Sequence, residues 1–462
     1  MLSRRGFLKA AASTGPLIIS ANAFARNKPG ASEIVNVGLI GLGPRCKYLA
    51  ETCAKIPQIR VAAICDCFKP RVDEFMKLQP DGQKWTGYTD FRKMIEKEKL
   101  DGVMVVTTTH ARAWVTCLAM AAGLDVYIEK PMCLTIEEGR HMVRLARQYK
   151  RVTQVGTQQR SIALNNWASD LVKNGAIGKV TSVLAPNFLA PSRWEDKPGQ
   201  EMPAGGDEKW WDVWTNQAVF RPYHKDLHFG WARWWDYDGG GISFGMTGWG
   251  THSYDQVQRG LGTDETGPVE VVLEEPMRVE PAGKFDERTP SEDETGSDYY
   301  AMVKGVTGPR AKVRMKYANG VQLLLHLDAD RGPGLGCVFV GEKGRIEINR
   351  DRIAAEPKEL IQRPDRPGPL NVTNTQPHIE DWVECIKTRK KCTADIEYGQ
   401  RSSTICYLAN IVREMGKVGE PLKWDPVAEK FTNCDEANAL LGRPRRKGYE
   451  LPEVKGHTSQ TT

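Results

Sequence analysis

The sequence predicts an α/β protein: a doubly wound parallel sheet, followed by a second α/β domain with a mainly antiparallel sheet. Three observations carry this. Over residues 33–158 short apolar runs alternate with segments of helical spacing, the mark of successive β-α-β units. From about residue 160 the texture changes, and 268–349 holds several alternating stretches with an Asn-Gly turn at 319–320. The pattern returns to helix at 376–416.

In order, "IVNVGLI" (34–40) reads as a strand, "CKYLAETCAKI" (46–56) as a helix and "RVAAICD" (60–66) as a strand. "LDGVMVVTT" (100–108) is a strand, with a helix near 111–122, and "LDVYIEK" (124–130) is the next strand. "TIEEGRHMVRLARQY" (135–149) is a helix with Thr135 as its N-cap. "VTQVGTQQR" (152–160) is a strand leading out of the first domain. "AKVRMKYANGVQLLLHLDAD" (311–330) is a hairpin, and "GEKGRIEINR" (341–350) is a further strand region.

The 462 residues are 40% apolar and 26% charged with a formal charge of +6, a soluble globular composition. Basic and acidic residues are interspersed, so no nucleic-acid surface is expected. The "RPRRK" run (443–447) reads as a solvated tail. The eleven cysteines show no paired framework, and Cys65 and Cys67 have no nearby partners for zinc; buried free thiols are expected and no metal site. "SRRGFLK" (3–9), the apolar stretch 10–20 and Ala23-Phe24-Ala25 have the form of a twin-arginine signal. Residues 1–25 are therefore expected to bring the twin-arginine translocation machinery as a partner. A periplasmic or otherwise exported mature protein, without a membrane span, would follow.

Gly41-Leu42-Gly43-Pro44-Arg45-Cys46 follows the first strand and opens a helix. It matches G-x-G-x-x-G except for Cys46. Two glycines let the backbone turn tightly and approach a pyrophosphate, which the helix N-terminus attracts. Asp66 ends the next strand, where a carboxylate would hold ribose hydroxyls. Together these mark 33–158 as a Rossmann dinucleotide-binding domain and favour NAD; Lys69 and Arg71 leave room for NADP. Glu129-Lys130-Pro131 ends a later strand on the ligand-binding edge of the sheet.

At these residues the chain resembles the Gfo/Idh/MocA oxidoreductases. The likeness rests on the glycine fingerprint, "EKPMCLTIEEGRHMVRLARQYKRVTQVGTQQR", "GTHSYD" (250–255) and "LKWDPVAEKF…DEANALL". It implies a second, open-faced α/β domain that often builds dimers or tetramers, here 159–375, with 376–462 packing back as helices and tail. It also implies that Lys130 sits near the nicotinamide and the reacting hydroxyl, stabilising an alkoxide or relaying its proton.

Many relatives carry Asp-x-Gly-x-His-x-x-Asp where this chain reads from Gly248 to Asp255. His252 is kept as the candidate base, since imidazole titrates near neutrality, and Asp255 is kept. The first Asp is Gly248, and Lys130, His224, Asp226 and His228 are candidates to replace it. Arg112 falls where relatives often have a second histidine. Gly41, Gly43, Arg45, Asp66, Thr107, His110, Glu129, Lys130 and Gln158 are the expected cofactor contacts. Seven of the 13 tryptophans lie within 210–249. Aromatic faces with polar neighbours suit sugar rings, although the stretch also reads as a packed core or a subunit contact. Arg160, Tyr223, His224, Trp235 and Asp255 are the expected substrate contacts.

The expected function is NAD-dependent hydride transfer on a sugar or sugar derivative, with a tightly held cofactor that travels with an exported protein. A redox-neutral NAD-dependent glycoside hydrolase is one alternative, and a non-catalytic carbohydrate-binding protein is another.

Overall fold

A computed structural model describes residues 34–281, 307–327, 334–350, 352–368 and 375–455. The expected signal, residues 1–25, lies outside the described residues.

The first sheet comprises β1 (Val35–Ile40), β2 (Ile59–Cys65), β3 (Thr86–Tyr88), β4 (Gly102–Val105), β5 (Asp125–Ile128) and β6 (Thr153–Val155). All its pairings are parallel, in the order β3-β2-β1-β4-β5-β6. The strands are apolar runs because helices cover both faces. Those helices are α1 (Pro44–Cys53), α2 (Lys69–Met76), α3 (Phe91–Lys97), α4 (Thr109–Ala121) and α5 (Ile136–Gln148). Thr135 caps α5, its Oγ1 accepting from Glu138 N at 3.2 Å. The strand order reverses between β1 and β4, which opens a crevice beyond their carboxyl ends.

The expected strand over 152–160 ends early. After Val155 the chain turns at Gly156, where a Cβ would lie 3.0 Å from the Glu129 carboxylate. Gln158–Ser161 then form a 3₁₀ turn, which brings Gln158 back over the sheet edge. Next come α6 (Ala163–Lys173) and β7 (Val180–Pro186).

β7 belongs to a nine-stranded sheet with β8 (Pro268–Leu273), β11 (Val313–Tyr317), β12 (Gln322–Leu327), β13 (Cys337–Gly341), β14 (Gly344–Ile348) and β15 (Ile353–Glu356). The β7–β12 pair is parallel and its neighbours are antiparallel. The Asn319–Gly320 turn joins β11 to β12, with Gly320 at φ +88°. β9 (Arg278–Pro281) and β10 (Thr307–Arg310) make a separate ribbon. Two strands in the C-terminal segment, β16 (Pro421–Asp425) and β17 (Lys430–Phe431), were not expected; they extend the large sheet beside β8.

Between β7 and β8 lies an aromatic lobe with α7 (Glu208–Thr215) and α8 (Lys225–His228), ending in α9 (Gly250–Leu261). Asp207 caps α7 through Trp210 N, at 2.7 Å. The C-terminal helices α10 (Gln376–Thr388) and α11 (Ile396–Met415) join the two sheets. Trp382 of α10 packs where β4 has Gly102. On α11, Ser402 donates to Asp255 of α9 at 2.7 Å, and Tyr407 donates to Cys133 O at 2.5 Å.

The "RPRRK" run is not a solvated tail. Arg443 stacks on Trp235, Arg445 pairs with Glu138, and Arg446 pairs with Asp212. Partners distant in sequence hold these cations against the protein. All eleven cysteines are free, nine of them buried.

Candidate active site

A cavity of about 850 Å³ runs from the carboxyl edge of the parallel sheet into the aromatic lobe. At its first end the β1–α1 turn sets the backbone. Gly41 has φ +90°, and a Cβ there would lie 2.7 Å from Thr107 N. Only glycine meets both demands. Gly43 precedes α1 with no atom within 4 Å of where a Cβ would sit, and no side chain caps the helix. The N-terminus of α1 therefore opens onto the cavity as an anion site. Asp66, at the end of β2, accepts from Leu42 N and Phe68 N at 2.9 Å each. Burial raises its carboxyl, against Arg71 and these two amides. Phosphate-sized space at a bare helix end, with a carboxylate one strand away, fits a dinucleotide.

The middle of the cavity is built on Glu129 and Lys130 at the end of β5. Arg45 Nε lies 2.7 Å from Glu129 Oε1, and Lys130 N donates to Glu129 Oε2 at 2.9 Å. Burial alone would raise the Glu129 carboxyl, but Arg45, Lys130 and Arg112 hold it below its usual range. The Arg45–Glu129 pair thus fixes the strand end that carries Lys130. Lys130 Nζ donates to Gly248 O at 2.7 Å. Burial pushes its ammonium down to about 8, helped by Arg350 and Arg45 and opposed by Glu129 and Asp238. An amine near 8 can exchange a proton close to neutral pH.

His252, on the first turn of α9, also lines the cavity, and its Nδ1 has no hydrogen-bond partner. Burial lowers its pKa far below the usual value, and Arg350, Lys130 and Arg45 push the same way. The ring is a neutral hydrogen-bonding group, poorly placed to hold an added proton.

The cavity gathers Gly41, Gly43, Arg45, Asp66, Thr107, Glu129, Lys130, Gln158 and His252 from the sequence-based candidates. Six others lie outside its lining. His110 is fully buried on the inward face of α4, its Nε2 2.8 Å from Trp214 O and its ring against Tyr237. Arg160 and Asp255 neutralise each other: Arg160 Nε is 2.9 and 2.8 Å from the two Asp255 oxygens, and Arg160 Nη2 is 2.7 Å from Asp264. That buried pair ties the Gln158 turn to α9, which carries His252. Tyr223 packs into the aromatic core against Trp210 and Trp211. His224 is spent as the N-cap of α8, accepting from Asp226 N. Trp235 carries the guanidinium groups of Arg193 and Arg443 over its ring.

Of the candidates to replace the missing Asp, Lys130 and His228 line the cavity and Asp226 does not. His228 sits among tryptophans, and burial lowers it to about 4. The aromatic lobe splits its tryptophans: Trp211 is core, whereas Trp210, Trp214, Trp231 and Trp249 wall the cavity. The cavity also contains Asp238 and Arg350, which the sequence reading did not single out. The glycine triplet after Asp238 was the available signal; Arg350, at the end of a strand region, had none.

Away from the cavity, Asp381, Cys385 and Cys392 bring three ligand atoms within 4.8 Å of one another. Asp381 Oδ2 is already engaged by Gln154 and Thr393.

Residues 35–157 match the family model "Oxidoreductase family, NAD-binding Rossmann fold", and the matching C-terminal α/β model spans 170–297 and 284–451. A stretch of 112 residues is 33% identical to a glycosyl hydrolase family 109 protein of Porphyromonas gingivalis, covering 23% of this chain and 24% of that one. The chain spans about half or less of the length of the curated relatives it matches. In fold it is similar to aldose-aldose oxidoreductase from Caulobacter crescentus, crystallised with glycerol: TM-score 0.55, 18% identity, 84% of this chain and 99% of that one. It is likewise similar to the WlbA dehydrogenase from Bordetella pertussis in complex with NADH and UDP-GlcNAcA: TM-score 0.53, 15% identity, 85% and 99% covered. A family model spanning more than half of the chain, on a site shaped for a dinucleotide, shows that this protein belongs to the Gfo/Idh/MocA oxidoreductase family.

Proposed function

We propose that this protein is a nicotinamide-dependent enzyme that oxidises a hydroxyl of a sugar or sugar derivative, with NAD preferred over NADP. The observation that carries this is one continuous cavity. It joins the bare N-terminus of α1 and Asp66 to Lys130 and His252, and continues between tryptophan walls. A bound nicotinamide would supply a hydride acceptor and donor. The chain's own residues do the rest. Lys130, as a neutral amine, takes the proton of the reacting hydroxyl. His252, neutral, hydrogen-bonds the same oxygen or its neighbour. Trp214, Trp231 and Trp249 offer aromatic faces to a sugar ring and exclude water. Asp66 supports ribose hydroxyls and so favours NAD, while Arg71 beside it tempers that preference for a cofactor carrying a 2′-phosphate.

The likeness to glycosyl hydrolase family 109 proteins favours a second reading, redox-neutral glycoside cleavage. Oxidation of a ring hydroxyl to a ketone would acidify the adjacent C–H. The glycosidic bond would leave by elimination, water would add, and the ketone would be reduced again. The same site serves both readings, and the second needs no outside oxidant. That agrees with a chain that begins with a twin-arginine pattern and works outside the cytoplasm on a cofactor it carries along. A homodimer or homotetramer is part of the same proposal.

The test is to purify the protein without added cofactor, release any NAD(H) or NADP(H), then follow nicotinamide fluorescence with aldoses, polyols and aryl glycosides. Reduction of bound NAD without glycoside release supports the oxidoreductase reading. Glycoside release with no net NADH supports the second. A protein that binds sugars but neither nicotinamide would overturn both.

A further inference from the structure

The cluster of Asp381, Cys385 and Cys392 lies outside the cavity and has no part in the reaction proposed above. Asp381 and Cys385 are four residues apart on α10, so they share one face of that helix. The chain leaves α10 through Arg389, in the left-handed region at φ +60°, and doubles back. Arg389 is anchored there, its Nη2 donating to Asp125 Oδ1 at 3.0 Å and to Lys150 O at 2.8 Å. That return brings Cys392 to the other two, and one ligand atom from each residue lies within 4.8 Å of the rest. Cys385 and Cys392 are buried beside Trp382 and Val383, which alone would suit two small apolar side chains. The carboxylate does not fit that account. Asp381 Oδ2 is fixed by Gln154 Nε2 and Thr393 N at 2.9 Å each, and Oδ1 lies 4.0 Å from Cys385 Sγ. The carboxylate is thus oriented by two donors behind it, as an outer shell orients a metal ligand.

We propose that Asp381, Cys385 and Cys392 bind a thiophilic divalent cation of the zinc class, through two thiolates and the Asp381 oxygen on the side of Cys385, with water in the fourth position. The spacing suits such an ion. Zinc–sulfur bonds of about 2.3 Å in a tetrahedron place two sulfurs about 3.8 Å apart, within the span of this cluster. Asp381 is half-buried and Thr393 is exposed, so the site lies just under the surface, where an ion can enter. On binding, both S–H bonds break, the two protons leave to solvent, and two metal–sulfur bonds form without electron transfer. The role is structural. Gln154 of β6 donates to His378 O at 3.0 Å as well as to Asp381, and its Oε1 accepts from Ala394 N at 2.9 Å. Val155 N donates to Ala394 O at 2.8 Å. A cation here would lock α10 and the chain after it onto the end of β6, at the root of the turn that carries Gln158 into the cavity. The sequence reading expected no metal, since the three residues follow no paired cysteine spacing and Cys392 joins them only through the return at Arg389.

The test uses the untagged full chain, reduced and stripped of metal by a chelator that is then removed. Cobalt(II), whose spectrum reports its ligands, is the probe, and zinc is added afterwards to displace it. One tightly bound cobalt per chain is expected, with a thiolate-to-metal band in the near ultraviolet and the visible bands of a tetrahedral ion. Zinc should abolish both. Cys385→Ser and Cys392→Ser should each lose the thiolate band. Asp381→Asn, which keeps an oxygen for Gln154 and Thr393, should weaken zinc at least about 10-fold. Thermal unfolding gives a second readout: zinc should raise the midpoint of the parent protein and leave that of Cys392→Ser unmoved. No tetrahedral spectrum at a clear excess of cobalt would overturn the site. A spectrum that survives in both serine variants would overturn it too, because the metal would then sit on other cysteines. Should the serine variants not fold, Asp381→Asn decides alone, and an unchanged zinc affinity there would refute the proposal.

Discussion

The two ends of the cavity are both glycine-rich, and they use glycine differently. At Gly41 the residue serves a positive φ and a close approach to Thr107, just beyond the neighbouring strand β4, all inside the parallel-sheet domain. At 239–248 the glycines let a loop fold onto itself, so that the Gly248 carbonyl meets the Lys130 ammonium from the second domain. The first is a device of the sheet edge, built within one domain, that cradles a phosphate. The second is a tertiary arrangement that brings a backbone carbonyl of one domain to a lysine of the other. A glycine fingerprint therefore reports the cofactor end of the cavity, and the second glycine run reports a loop closed on itself.

The comparison can be broken at several points. The largest expected effect is on the strut between the two ends. Asp255→Ala leaves Arg160 buried without its main partner and should cost about 3–5 kcal/mol by chemical denaturation. A change below about 1 kcal/mol would mean the pair does not hold the Gln158 turn to α9. Gly248→Asp tests the lobe: the backbone carbonyls of 241 and 242 cannot give way cheaply, so about 3 kcal/mol of destabilisation is expected. A stable, active variant would refute the closed loop. Gly41→Ala tests the sheet end, with about 2 kcal/mol lost to the positive φ and weakened cofactor binding in a fluorescence titration.

A subtler handle is pH. Lys130 lies near 8, below its ordinary value, because burial disfavours the charged form. The amine that accepts the substrate proton is populated above that pH, so the oxidation rate should rise through about pH 8. Lys130→Arg, which stays charged, should remove that limb. The smallest expected effect is Thr135→Ala, about 1 kcal/mol from a lost helix cap, with no change in cofactor affinity.

The first domain was legible because its signals are local. Val35–Ile40, the turn at Gly41 and Asp66 each follow from neighbours in the chain, and Thr135 caps the helix that its sequence announces. What was misread depends on partners far away in sequence. Nothing around Arg160 or Asp255 says that they pair with each other, and a histidine on α4 looks the same whether it faces a cavity or Trp214. The basic run 443–447 is a solvated tail by composition and a clamp once Glu138, Asp212 and Trp235 are in place. Asp238 was missed for the same reason, since its place in the cavity lining exists only once the aromatic lobe has folded.

The most direct test of the account is the reduction of bound NAD by a sugar in the parent protein and in Lys130→Ala, followed by nicotinamide fluorescence with cofactor affinity measured alongside. The account predicts equal NAD binding in both proteins and a rate at least about 100-fold lower in Lys130→Ala. Equal rates, or a protein that binds neither NAD nor NADP, would contradict it.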